Sequence, residues 1–265
     1  MTQEQTEALL LPDERLDEVN EQIRLIQKRQ GLTFGTDAYL LSAFVRPQPR
    51  DRAVDLGSGT GIIPLLLCAK NKVRSVTAVE LQPDFASLIT RNAELNGFSS
   101  RITSVNADVR TLTAASIGGE VGLVVSNPPY LKTGTGKTSP SLSKELARHE
   151  VCGGIAEFCA AASRILRTKG RFVCVFRAER LTDLFTAMRE NRLEPKRMIT
   201  VHSDSHSAPC AVLTEAVKDA SPSLSVLPPL FLYEDMQTSD SRRKMTARAA
   251  EIYRTCSFPV SGKER

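Results

Sequence analysis

Two short stretches carry residue types whose spacing could do chemistry. The first is Val54-Asp55-Leu56-Gly57-Ser58-Gly59-Thr60-Gly61-Ile62, an apolar run, then glycine at three alternate positions, then a run to Lys70 that reads as a helix. Such glycines adopt positive φ and leave no Cβ between a ligand and the backbone, and the helix that follows offers free N–H groups and the positive end of its dipole. The loop suits a small polar ligand. Its spacing is G-x-G-x-G, with Ile62 where a dinucleotide binder has its third glycine, and Glu80 closes the next apolar run, where an acid meets ribose hydroxyls.

The second stretch is Asn127-Pro128-Pro129-Tyr130, delivered by the apolar run Val124-Val125-Ser126. An amine conjugated to a ring is a poor nucleophile because its lone pair is delocalised. To react, it needs both hydrogens held on acceptors and the lone pair facing an electrophile. The Asn127 side-chain oxygen and the Pro128 carbonyl can be those acceptors, the prolines fix φ and remove competing donors, and Tyr130 offers a flat face for the ring. Asn127, Pro128 and Tyr130 are the catalytic candidates.

The elements that must position these groups follow from periodicity. Strands are expected near 52–56, 75–80, 101–105, 121–126, 171–176, 196–202 and 210–217, with helices at 61–70, 83–96, one ending near Arg167, and 178–191. Strand-helix alternation builds a parallel sheet covered on both faces, and the last two strands, joined by a loop, insert one antiparallel strand. Residues 22–33 read as a strand or hairpin. A helix over 38–45 follows, capped by Thr36 or Asp37 and ended by Pro47 and Pro49, and a basic helix is expected over 242–254. The organisation is a lead-in over 1–50, a catalytic domain over 51–220 and a C-terminal extension over 221–265.

Composition sets the class. With 265 residues, 41% apolar and 25% charged, the chain can bury one large core, and its longest apolar runs fall short of a membrane span. The start lacks a basic segment ahead of an apolar one, so a cytoplasmic protein is expected. The six cysteines form no C-x-x-C pair, which favours reduced thiols and no metal. The net charge of +5 is unevenly spread: residues 1–37 hold eight acids and four bases, residues 164–197 ten bases and four acids. Basic segments in the second half suit a polyanion such as RNA, with Lys132, Arg148, Arg177, Lys196 and Arg197 as candidate contacts; nothing demands an obligate protein partner. Gly136-Lys137-Thr138 is not a phosphate loop, because Leu131 stands where its first glycine would be. His202, Asp204 and His206 fall in a serine-rich loop with no second ligand cluster.

Taken together, residues 54–62, Glu80 and Asn127 to Tyr130 resemble the class I S-adenosylmethionine-dependent methyltransferases. The resemblance implies a Rossmann-like α/β fold with a seven-stranded, mostly parallel sheet containing one antiparallel strand and helices on both faces. It places Asp55, Gly57, Ser58, Gly59, Gly61, Glu80 and Asn127 around the cofactor, and Asp108 on the cofactor's adenine amine. Phe34-Gly35-Thr36-Asp37-Ala38, Ala147-Arg148-His149-Glu150, Arg177-x-Glu179-Arg180-Leu181, Glu194-Pro195-Lys196-Arg197 and Leu227-Pro228-Pro229-Leu230 resemble, more narrowly, the tRNA (adenine-N6)-methyltransferases that act 3′ of the anticodon of a valine tRNA. That family's pattern implies tRNA as partner and puts Thr36 and Asp37 at the methionine end of the cofactor. Two readings compete. A glutamine-N5 methyltransferase of release factors, or another RNA base-amine methyltransferase, would use the same N-P-P-Y; a non-catalytic RNA-binding protein would not need Asp55, Glu80 and Asn127 intact.

Overall fold

The computed structural model describes residues 10–29, 35–129, 153–235 and 243–259. The chain opens with an antiparallel hairpin of β1 (Glu14–Asn20) and β2 (Ile23–Lys28). The expected strand is its second half; the charged first half, Glu-Arg-Leu-Asp-Glu-Val-Asn, carries too few apolar residues to read as a strand. Helix α1 (Thr36–Phe44) starts two residues earlier than expected, with Gly35 at its N-cap and no side-chain cap. Thr36 and Asp37 are therefore inside the first turn, and the Thr36 side chain lies beside Tyr253 instead.

The domain proper runs β3 (Arg52–Leu56), α2 (Ile62–Ala69), β4 (Ser75–Glu80), α3 (Pro83–Leu95), β5 (Ile102–Asn106), β6 (Val121–Ser126), α4 (Ile155–Ile165), β7 (Leu166–Arg177), α5 (Leu181–Glu190), β8 (Leu193–His202) and β9 (Pro209–Lys218). Two short strands, β10 (Ser225–Val226) and β11 (Leu230–Phe231), then pair parallel to β8, and α6 (Ala247–Thr255) follows. The sheet order is β10-β8-β9-β7-β6-β3-β4-β5, with β11 also on β8. Among the described residues this sheet has nine strands where seven were expected, because two-residue strands carry no readable periodicity. The antiparallel strand is β9, inserted between β7 and β8. Strand β7 starts at Leu166, where a helix was expected to continue; Leu166 pairs with Val121 before the register shifts. Helix α6 is shorter than expected because Thr246 caps it, its side chain accepting from the Ala249 N–H.

Alternate side chains of the central strands feed two cores. Ala53, Val125, Val173 and Val175 pack with α1, α2 and α6, while Val54, Leu56, Val124 and Phe172 pack with α4 and α5. Both faces are thus covered, which is why these strands read as continuous apolar runs. Each fully buried Leu or Phe contributes about 1.5–3 kcal/mol. Helix α1 is locked at its other end by Lys72, whose buried ammonium donates to the carbonyls of Ser42, Ala43 and Val45 at 2.7, 3.0 and 2.8 Å. A cation there answers the last-turn carbonyls and the negative end of the dipole; burial pulls it down to about 8.

The order of the sheet creates the site. Strand β3 has β4 on one side and β6 on the other, so the chain reverses its winding there, and the crevice at the C-terminal ends of these strands is where open α/β sheets bind ligands.

Candidate active site

Leu56 ends β3 and the glycine loop begins. Gly57, Gly59 and Gly61 have φ of 72°, 56° and 84°, which any side chain would strain. A Cβ on Gly57 would press on Phe158 at 3.3 Å and one on Gly61 on Ile89 at 3.3 Å, whereas one on Gly59 would meet nothing within 4 Å. Packing thus adds to the strain at two of the glycines, and the third leaves the backbone open. The N–H groups of Gly57 and Ser58 donate to the Val79 carbonyl at 2.9 and 3.0 Å, seating the loop on the end of β4.

Two carboxylates face this loop. Glu80 ends β4 and accepts from the Gly59 N–H at 2.9 Å through Oε2 and from the Gln82 N–H at 3.0 Å through Oε1. Asp55, fully buried, accepts from the Ser58 hydroxyl at 2.6 Å through Oδ2, while its Oδ1 has no hydrogen-bond partner among the described residues. Burial pushes the Asp55 carboxyl up to about 7 against the pull of Ser58, and Glu80 adds to the rise. An orphaned acceptor, a second carboxylate and an open glycine backbone fit a hydroxyl-rich cationic ligand such as S-adenosylmethionine.

Across β3, Ser126 ends β6 in register with Leu56, and its hydroxyl donates to the Leu56 carbonyl at 2.8 Å. Asn127 is the next residue, so the N-P-P turn opens beside the start of the glycine loop. Pro128 is buried, with Asn127 and Pro129 half-buried. On the other flank, Asn106 ends β5 and donates to the carbonyls of Glu80 and Leu81 at 2.9 and 2.8 Å. Asp108 lies two residues beyond, accepting from the Arg110 N–H at 2.8 Å and gripped by its guanidinium, which lowers the carboxyl pKa. Ser126 and Asn106, absent from the residues singled out in the sequence, fix the strand ends; their only sequence signal is position, each a small polar residue closing a strand.

Thr36, Asp37, Arg177 and Cys210 gather further along the edge: Asp37 and Arg177 both act on the Cys210 thiol, where burial dominates and raises the pKa. Arg177 is partly exposed, with a loose 3.6 Å pairing to Glu179. The other phosphate contacts fare differently. Lys196 donates to the Ser221 carbonyl at 2.9 Å and to the Ser223 hydroxyl. Arg197 is a correction: it is 6% exposed, its guanidinium donates to the Phe44 carbonyl at 2.7 Å, lies 4.0 Å over the Phe44 ring and pairs with Glu215 at 3.4 Å. A cation so enclosed offers no surface to a polyanion. Tyr130, Lys132 and Arg148 lie outside the described residues.

Known proteins match this chain in sequence and in fold. The methyltransferase small domain family model matches residues 29–191. A tRNA1(Val) (adenine(37)-N6)-methyltransferase of Porphyromonas gingivalis is 30% identical over 187 residues, covering 68% of this chain and 72% of its own length. One of the same name from a Flavobacteriaceae bacterium is 25% identical over 84% of this chain and 92% of its own. The crystal structure of a predicted O-methyltransferase from Agrobacterium tumefaciens shares the fold, with a TM-score of 0.67 and 22% identity over 86% of this chain and all of its own. Among the described residues no helix is long and apolar enough to cross a membrane. With the family model spanning more than half of the sequence and the relatives aligning along most of theirs, the chain belongs to the methyltransferase small domain family, among the S-adenosylmethionine-dependent enzymes grouped as tRNA1(Val) (adenine(37)-N6)-methyltransferases.

Proposed function

We propose that the protein methylates the exocyclic N6 of an unpaired adenine in tRNA, the adenosine 3′ of the anticodon of a valine tRNA. The observation that carries this reading is the pairing of Ser126 with Leu56, because it puts Asn127 one residue from the strand end at which the glycine loop begins. S-adenosylmethionine bound there supplies an electrophilic methyl group on a sulfonium. The loop at 57–61 holds it, with Glu80 on the ribose hydroxyls, Asp108 on the adenine amine, Asp55 beside the loop and Thr36 and Asp37 at the methionine end.

Asn127 Oδ1 and the Pro128 carbonyl take the two hydrogens of the target amine, which turns its lone pair toward the methyl group. Once alkylated, the nitrogen loses a proton readily, so alignment outweighs a strong base. Tyr130 stacks on the base. A stacked duplex cannot present such an amine, so a loop is the substrate. Arg177 at the end of β7, with Lys132 and Arg148, meets the phosphates, and the relatives' names support tRNA as the polyanion.

The test is to incubate the protein with labelled S-adenosylmethionine and, in parallel, total tRNA or a release-factor protein, digest, and identify the labelled nucleoside or residue. N6-methyladenosine in a valine tRNA, with binding that weakens steeply as salt rises, is expected. Label on a release-factor glutamine, with RNA untouched, would replace this reading with the amide one.

A further inference from the structure

Alternate residues of an edge strand turn both N–H and C=O away from their partner. In β2 these include Arg24 and Ile26, and helix α3 with its C-cap residue covers them with two asparagines. Asn96 Oδ1 accepts from the Arg24 N–H at 3.0 Å while its Nδ2 donates to the Arg24 carbonyl at 2.7 Å. Asn92 repeats the clasp on Ile26, at 2.7 and 3.0 Å. The match is geometric: four residues along a helix and two along a strand both advance about 6–7 Å. Arg91 adds an ion pair to buried Glu14 in β1 at 2.7 Å.

Asn92 does one thing that Asn96 does not. The remaining hydrogen of its amide is donated to the Thr60 carbonyl at 2.9 Å, inside the glycine loop. The side chain is fully buried, and all three of its bonds go to backbone groups. Thr60 lies between Gly59 and Gly61, both at positive φ, and such a segment has no side-chain preference to hold it in shape. Its N-terminal half is seated on Val79 and Glu80; at Thr60, Asn92 supplies the hold.

We propose that Asn92 is a positioning residue for the cofactor, tying the glycine loop to the N-terminal hairpin so that hairpin docking and S-adenosylmethionine binding are coupled. The proposal rests on the loop at 57–61 being the cofactor loop and is independent of which nucleoside is methylated. Asparagine is required because only a primary amide of this length offers two donors and an acceptor in one plane; aspartate would lose both donors. By linkage, cofactor binding must in turn disfavour the open hairpin at equilibrium.

The experiment compares Asn92→Ala with Asn96→Ala in the full chain, measuring thermal stability and S-adenosylmethionine affinity by calorimetry. Both variants lose a hairpin clasp and melt earlier. Asn96→Ala keeps its affinity within twofold, whereas Asn92→Ala binds at least tenfold more weakly. If both keep wild-type affinity, or both lose it equally, Asn92 is only a structural clasp and the proposal fails. Should Asn92→Ala not fold, the wild type decides: adding S-adenosylmethionine slows hydrogen exchange at the Ile26 amide severalfold, and no change there overturns the coupling. Loss of tRNA methylation in the wild type itself would instead concern the acceptor, since cofactor binding is read separately.

Discussion

At the ends of β3 and β4, Asp55 and Glu80 lie buried with no ion pair among the described residues, whereas Glu215, fully buried in β9, is met by Arg46, Arg171 at 3.6 Å and Arg197 at 3.4 Å. Both regions bury acids; only one neutralises them. A buried charge without a partner costs stability and persists only where something else rewards it. The Glu215 cluster joins α1, through Arg46 and the Phe44 ring, to the sheet, so it belongs to the architecture. On the function proposed above, the uncompensated pair faces the cofactor, which then supplies the partners that the fold does not. Mutations in the two regions should therefore separate stability from binding.

The largest effect is expected at Glu215. Glu215→Ala leaves buried guanidinium groups without their acid, a loss of about 3–5 kcal/mol. The unfolding free energy from urea denaturation should fall by that amount, while folded protein binds S-adenosylmethionine within twofold of the wild type. A large loss of affinity at unchanged stability would erase the distinction between the two regions.

Asn127→Ala is the opposite case. Removing one acceptor of the target amine should lower turnover on the order of 100-fold, or about 2.7 kcal/mol, with cofactor affinity nearly intact. Single-turnover kinetics at saturating tRNA reads this directly, and full activity would remove Asn127 from the mechanism. Glu80→Ala should weaken S-adenosylmethionine by about 1–3 kcal/mol, the cost of lost charged hydrogen bonds. Part of that belongs to the loop, because Glu80 also holds the Gly59 N–H; Glu80→Gln, which keeps the acceptor oxygen, should recover that part in calorimetry.

Much of this arrangement is legible in the sequence, and the exceptions share a cause. The glycine loop and N-P-P turn are local: their residue types dictate their backbone, and strand-helix alternation places them at strand ends. Arg197 looks like any cation of a basic stretch, and only the fold, by bringing Phe44 and Glu215 to it, buries it. Lys72 likewise reads as a surface lysine, yet its acceptors lie 27–30 residues away. The Asn92 clasp spans 66 residues to Ile26. Periodicity reports which face of an element is apolar, and it says nothing of which polar side chain will meet a distant backbone.

The smallest effect separates the regions by pH. Asp55 has its ordinary value of 3.8 in the unfolded chain and is pushed up to about 7 by burial in the fold. A carboxyl raised on folding stabilises most where it is protonated, so its contribution is fully present below pH 4 and lost as pH rises through 7. A cationic cofactor favours the carboxylate. Binding should therefore release a proton below about pH 7, and S-adenosylmethionine affinity should rise as pH approaches 7 and level off above it. Titrations between pH 5.5 and 7, in two buffers of different ionisation enthalpy, measure both the slope and the proton. Asp55→Asn should abolish them. Affinity that falls as pH rises, or a slope that survives in the asparagine variant, would show that the cofactor does not draw on this uncompensated acid.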